Sequence, residues 1–332
     1  SGADSLVFGT NLNNADTVDG GAGTDTLSAT VTGLTATTGV LNVSNVETLN
    51  LTNGGVFVFD ASKVTGATEI AIATNTTSTT ITNLAAGVKV GAGLNDTDGA
   101  VGGLFDVSLA DATGTADALT FNLNDTDAGT YNVEVKATGI ETVTFDVTDD
   151  TDTSNADAVL DVDSLNASSV VVTGGTLDVT GTLSLGTLDT DTTSVDASGY
   201  GGILTASAGT AIATTFTVAG DRTHNLTGSS KNDTFTVGSA TDTTTNADVT
   251  IDGNGGTDVV NITIGDGAAD FDGISDIDTL NITVVDSSDV TTAAADTLDG
   301  IDAATAINVT GGNSLSTVTL GGATDTLTAS NS

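Results

Sequence analysis

Three short runs at wide spacing restrict this chain more than any other feature. They are Val46-Glu47-Thr48-Leu49, Ile140-Glu141-Thr142-Val143 and Ile277-Asp278-Thr279-Leu280. Each follows an upstream acid (Asp25, Asp117 or Asp258) by 20 to 24 residues. The text around them is written in short runs that alternate Thr with Val, Ile or Leu, as in Ser169-Val170-Val171-Val172-Thr173 and Asn261-Ile262-Thr263-Ile264. Gly, Asn and Asp separate these runs, which marks strands between turns. Alternation gives each strand one dry face and one wet face. No helical period of any length is present. A repeat that cannot close its own core has to stack on its neighbours. The expected fold is therefore all-β, a parallel β-solenoid of stacked short strands. A β-sandwich array is the competing architecture. Hairpin signals are scarce and the chain has no proline, which suits rungs whose backbone N–H groups all pair.

The repetition divides the chain into three related units, residues 1–113, 114–227 and 228–332. Their openings match: Gly2-Ala3-Asp4-Ser5-Leu6, Gly114-Thr115-Ala116-Asp117-Ala118-Leu119, and Gly228 to Phe235 with Asp233. The first and third units are the closest pair. Asn14-Ala15-Asp16 with Asp19-Gly20 answers Asn246-Ala247-Asp248 with Asp252-Gly253.

Charge narrows the function. The chain sets 44 acids against five bases, for a net charge of −39. Such a charge opposes compaction by self-repulsion, yet hydrophobic residues make up 38%, which is not a disordered composition. Bound cations would reconcile the two. There is no basic patch to hold a phosphate backbone, so nucleic acid is excluded as a partner. Anionic membrane surfaces repel such a chain, and no run of about 20 apolar residues offers a membrane span. Without cysteine there is neither a disulfide framework nor a thiolate metal site. No basic and apolar N-terminal signal is visible. Both ends fall inside motif-like text, so the chain reads as a fragment of something longer.

The cation sites have a sequence signature. Gly20 to Ser28 fits the nine-residue repeat Gly-Gly-x-Gly-x-Asp-x-apolar-x, a calcium-binding pattern. The glycines allow positive φ and inward carbonyls, and carboxylate and carbonyl oxygens suit a hard cation such as Ca²⁺. Asp16, Asp19 and Asp25 are the expected carboxylate ligands, with the Gly21 and Gly23 carbonyls. A second copy runs from Asp252 to Asn261. There Asp248, Asp252 and Asp258 would serve, with Gly253 and Gly256, and Asn254 stands at a position that tolerates positive φ. Asp4 and Asp233 lie in partial motifs, as completing ligands from a neighbouring rung or as plain turn acids. Glu47, Glu141 and Asp278 begin equivalent strands as turn acceptors, edge charges or metal ligands. The second unit lacks the full motif. Asp149-Asp150-Thr151-Asp152 reads as a solvated loop or a weak cation site.

With these motifs and strands in view, the chain resembles RTX-type bacterial surface-layer proteins. The resemblance rests on Asp16 to Leu27 followed by Val46 to Thr52, and on Gly114 to Val147 followed by Asp157 to Asp178. The turns Asp60-Ala61-Ser62 and Asp196-Ala197-Ser198 extend it. It implies a secreted lattice domain at the cell exterior, calcium at turns and subunit contacts, and type I export with a C-terminal signal beyond Ser332. The implied partner is the protein itself, with cell-surface polysaccharide engaged through regions outside this fragment.

The expected function is thus a calcium-dependent structural protein that assembles into a surface layer or extracellular filament. The alternative is the repeat region of an RTX adhesin or biofilm-matrix protein. An enzyme is not expected. His224 is the single histidine and has no nucleophile motif beside it, nor the cysteines a usual zinc site needs. Five scattered bases make a β-helix lyase site hard to build. Halophilic solubility would explain the acidity but not the two glycine motifs.

Overall fold

The computed structural model describes residues 2–31, 34, 39–53, 57–72, 78–94, 101–125, 130–148, 157–162, 165–175, 181–220, 222–240, 249–264, 273–284, 306–311 and 326–330. The expectation of an all-β parallel solenoid holds. Among the described residues the only helical element is one 3-10 turn, Ala61–Lys63. No helix among them is long and apolar enough to cross a membrane. Compactness divides the chain once, into Ser1–Ser184 and Leu185–Ser332. The three sequence units follow repetition rather than compactness.

In the first unit a long parallel sheet takes one strand from each rung. In order these are Ser5–Gly9, Thr26–Val31, Thr48–Asn53, Glu69–Ile72, Lys89–Leu94, Ala118–Asp125, Thr142–Thr148 and Ser169–Gly174. A second parallel sheet contains Phe57–Asp60, Thr79–Leu84, Val101–Leu109, Thr130–Ala137, Asp157–Asp161 and Thr182–Thr187. A short third sheet joins Thr17–Asp19, Asn42–Ser44 and Val64–Thr65.

The second unit repeats the plan. Its long sheet runs through Ser194–Tyr200, Thr215–Val218, Thr234–Ala240, Val259–Ile264, Thr279–Val284, Ala306–Gly311 and Thr326–Ser330. The opposing sheet holds Ile203–Ser207, Asn225–Thr227, Thr250–Asp252 and Ile274–Ser275.

Register follows from the alternation, because a one-residue slip would turn every apolar side chain outward. In the first unit one core column is Leu27, Leu49, Ile70, Val90, Phe121, Phe145 and Val172, each rung directly beside the next. In the second it is Val195, Phe216, Phe235, Val260, Leu280 and Ile307. All of these are buried, and each large side chain so buried contributes about 1.5–3 kcal/mol. Stacking like on like also aligns the aromatics. The Phe121 and Phe145 rings lie 5.7 Å apart and the Phe216 and Phe235 rings 5.3 Å apart, both stacked. Between rungs the chain turns corners at residues with positive φ, among them Asn45, Asn254 and Asp276. Asn and Asp tolerate that conformation better than other side chains.

Candidate metal centre

At several corners the residue just before a long-sheet strand presents an N–H that the backbone of the next rung does not take. An acid one rung further on accepts it. In the first unit Asp4 N–H donates to Asp25 Oδ1 at 2.7 Å, and Asp25 N–H donates to Glu47 Oε2 at 2.6 Å. Asp117 N–H donates to Glu141 Oε2 at 2.8 Å. In the second unit Thr214 N–H donates to Asp233 Oδ1 at 2.6 Å, Asp233 N–H to Asp258 Oδ1 at 2.7 Å, and Asp258 N–H to Asp278 Oδ2 at 2.8 Å. Within each unit these carboxylates form a ladder up a corner. Glu47, Glu141 and Asp278 are therefore turn acceptors, one of the uses their positions suggested.

The ladder acids differ in their second oxygen. Asp233 Oδ2 accepts the Ser229 N–H at 2.6 Å, and Asp117 Oδ2 accepts the Gly114 N–H at 2.9 Å. Asp25 and Asp258 are fully buried, and in each Oδ2 has no hydrogen-bond partner. A buried carboxylate oxygen left unpaired costs about 1–3 kcal/mol or more. Both orphans fall on the acid of a Gly-Asp motif, and nowhere else in the described ladder.

The two motif turns share their positive-φ positions. Gly21 (φ 87°) corresponds to Asn254 (φ 67°), and Gly23 (φ 147°) to Gly256 (φ 136°), so Asn254 occupies the positive-φ place expected for it. The α-carbon of Gly20 faces both the Asn45 carbonyl of the next rung and Asp25 Oδ2. A β-carbon there would lie 2.1 Å and 2.8 Å from them. Gly253 faces the Asp276 carbonyl and Asp258 Oδ2, with equivalent distances of 2.0 Å and 2.8 Å. Glycine is required because only a hydrogen fits between these oxygens.

Beside the second turn lies a pocket of about 110 Å³, lined by residues 254–256 together with Asp258, Asp276 and Asp278. Burial pushes the Asp258 carboxyl above its ordinary value, and the neighbouring Asp233, Asp278 and Asp276 carboxylates add to this. The N–H bond from Asp233 opposes the rise. A buried acid held by negative neighbours gains a countercharge either as a proton or as a cation.

Asp16, Asp19 and Asp252 each have one carboxylate oxygen in a hydrogen bond. Asp16 Oδ2 accepts both the N–H and the side-chain amide of Asn13, each at 2.9 Å. Asp19 Oδ1 accepts the Gly21 N–H at 3.0 Å and the Asn45 side-chain amide at 2.9 Å. Asp252 Oδ1 accepts the Asn254 N–H at 2.9 Å. Asp4 is exposed and meets Asp25 through its backbone. Asp248 and the Asp149-Asp150-Thr151-Asp152 run lie outside the described residues. Among the described residues no three acidic or histidine side chains converge as a metal cluster. A cation would therefore draw on backbone carbonyls as well as carboxylates. The donors at hand are all oxygen, which fits calcium.

Asn45 and Asp276, whose carbonyls face the motif glycines, are not among the residues expected from the sequence at these corners. Their signal was present, since Asn45-Val46-Glu47 and Asp276-Ile277-Asp278 repeat polar–apolar–acid at the same place. His224 is a core residue. Its Nδ1 accepts the Leu204 N–H at 3.1 Å, and Nε2 lies 3.2 Å from the Ala219 carbonyl, the arrangement of a neutral ring that donates through Nε2. Comparison with protein families, curated proteins and solved structures found no match to this chain.

Proposed function

We propose that this chain is a secreted, calcium-binding structural protein that self-assembles into a bacterial surface layer or extracellular filament. The observation that carries the reading is the pair of buried, unpartnered oxygens on Asp25 and Asp258. Each belongs to a Gly-Asp motif, while the equivalent oxygens of Asp117 and Asp233 are satisfied. Bound calcium would supply positive charge at these corners, held by Asp25 or Asp258 with the Asn45 or Asp276 carbonyl nearby. The chain's own residues do the rest. Glu47 and Asp278 fix the backbone of the motif acid, and the glycines admit the neighbouring rung. Neutralising part of a net charge of −39 eases both compaction and the approach of like molecules.

Size exclusion with light scattering tests this on one sample, with millimolar calcium and with chelator. Calcium is expected to compact the chain and drive ordered assembly. A compact monomer in calcium would remove the assembly and favour an adhesin repeat region. No response to calcium would overturn the reading.

A further inference from the structure

Asn45 and Asp276 stand at the same place in the two motif corners. Asp19 pairs with Ser44 across one pair of rungs, and Asp252 with Ser275 across the other. The Gly20 N–H donates to the Ser44 carbonyl and the Gly253 N–H to the Ser275 carbonyl, each at 3.0 Å. Asn45 and Asp276 follow at φ 49° and 52°, each two residues before a ladder acid, Glu47 or Asp278. What their side chains meet differs. In the first corner Asn45 Nδ2 donates to Asp19 Oδ1 at 2.9 Å, a bond from one rung to the next. In the second corner the counterparts are Asp276 and Asp252, two carboxylates, which only accept hydrogen bonds. The tie of the first corner cannot form between them. Asp276 instead lines the pocket shared with Asp258, whose buried Oδ2 has no partner. At the closed Asp233 corner the same place is Gly253, which brings only its carbonyl to Gly228.

We infer that Asp276 is a further carboxylate ligand of the cation at the second corner, where the ion takes over the rung-to-rung tie that the Asn45–Asp19 bond makes in the first. This rests on the calcium reading above and makes the two corners unequal. Glu47 and Asp278 serve alike, so the difference in charge between the corners is Asp276 against Asn45. The second corner offers carboxylates from two rungs, Asp258 and Asp276, together with the Asp276 carbonyl. The first offers Asp25 and the Asn45 carbonyl, and its Asn45 side chain is engaged by Asp19. A larger ligand charge tightens calcium binding, so the second corner fills first. Its contact with the next rung depends on metal, and that of the first corner does not.

Reciprocal substitutions in the full chain test this. Backbone NMR of the Gly23 and Gly256 amides follows each corner separately through a calcium titration. Wild type is expected to fill the Gly256 corner at lower calcium than the Gly23 corner. Asp276→Asn is expected to weaken the second corner about ten-fold or more and to leave the first unchanged. Asn45→Asp is expected to tighten the first corner. A second readout is hydrogen exchange in chelator. The Gly253 amide should exchange about two- to ten-fold more slowly in Asp276→Asn, because the new side-chain amide can donate to Asp252. The Gly20 amide should exchange faster in Asn45→Asp. Equal affinity of the two corners in wild type would overturn the inference and leave the calcium reading standing. Undiminished binding at the second corner in Asp276→Asn would do the same. If neither glycine of wild type responds to calcium, the proposed function fails and this inference falls with it.

Discussion

Replacing Asp258 by Asn should have opposite effects with and without calcium. The amide keeps an oxygen for the Asp233 N–H, which Asp258 Oδ1 accepts at 2.7 Å. It removes the charge from the oxygen that is buried without a partner. It also ends the repulsion from Asp233, Asp276 and Asp278. Relief of one unsatisfied buried group amounts to about 1–3 kcal/mol, so in chelator Asp258→Asn is expected to be the more stable protein. Calcium at 100 times its dissociation constant would stabilise wild type by about 2.7 kcal/mol at this site, and at 1,000 times by about 4.1 kcal/mol. The variant gains nothing there. The effect of the substitution should therefore swing by about 3–4 kcal/mol between the two conditions. The pH dependence has a matching sign. A carboxyl raised above its ordinary value contributes stability that is fully present below the unfolded pKa of 3.8 and is lost as pH rises through the raised value. Cation-free wild type should therefore gain local stability on acidification, and Asp258→Asn should lack that gain. Hydrogen exchange over the rungs from Asp233 to Thr263, with thermal melting, measures both. Destabilisation by the same amount in calcium and in chelator would refute the reasoning, since the orphan oxygen would then have no bearing on stability.

Other outcomes follow from single contacts. Gly253→Ala should disrupt the second turn by several kcal/mol, because its β-carbon would lie 2.0 Å from the Asp276 carbonyl, while Gly255→Ala, with nothing within 4 Å, should be harmless; equal melting temperatures would refute the close approach. His224 is pushed down to about 4 from 6.5, chiefly by burial and further by Arg222, against the bond to Ala219. Its contribution of roughly 3 kcal/mol is full above pH 6.5 and lost as pH falls toward 4. Exchange of the Leu204 amide across that range checks it, and a rate following intrinsic chemistry alone would refute it. Phe235→Ala should cost about 3–5 kcal/mol by opening a cavity beneath Phe216, measured by denaturant unfolding; a loss below about 1 kcal/mol would mean that the column repacks.

Much of the scaffold was determined by the sequence alone. Period-two alternation sets which side chains point inward, and burial of one face then sets the register, so columns such as Leu27–Leu49–Ile70 are implied by composition and spacing. The motif glycines were legible for the same local reason, since positive φ and close approach are properties of a residue and its immediate neighbours. What only the tertiary structure decided is how the acids are used. Asp19, Asp25, Asp117, Asp233 and Asp252 look alike in a chain with 44 acids. Which of them keeps an oxygen free depends on the direction of an N–H three or four residues away and on the carbonyl that the next rung brings alongside. The carbonyl comes from a rung some 20 residues distant, and so do the acids that hold the motif backbone, Glu47 for Asp25 and Asp278 for Asp258. Hydrogen bonds are short and directional, and the path of the stacked corners, rather than residue type, fixes which donors arrive.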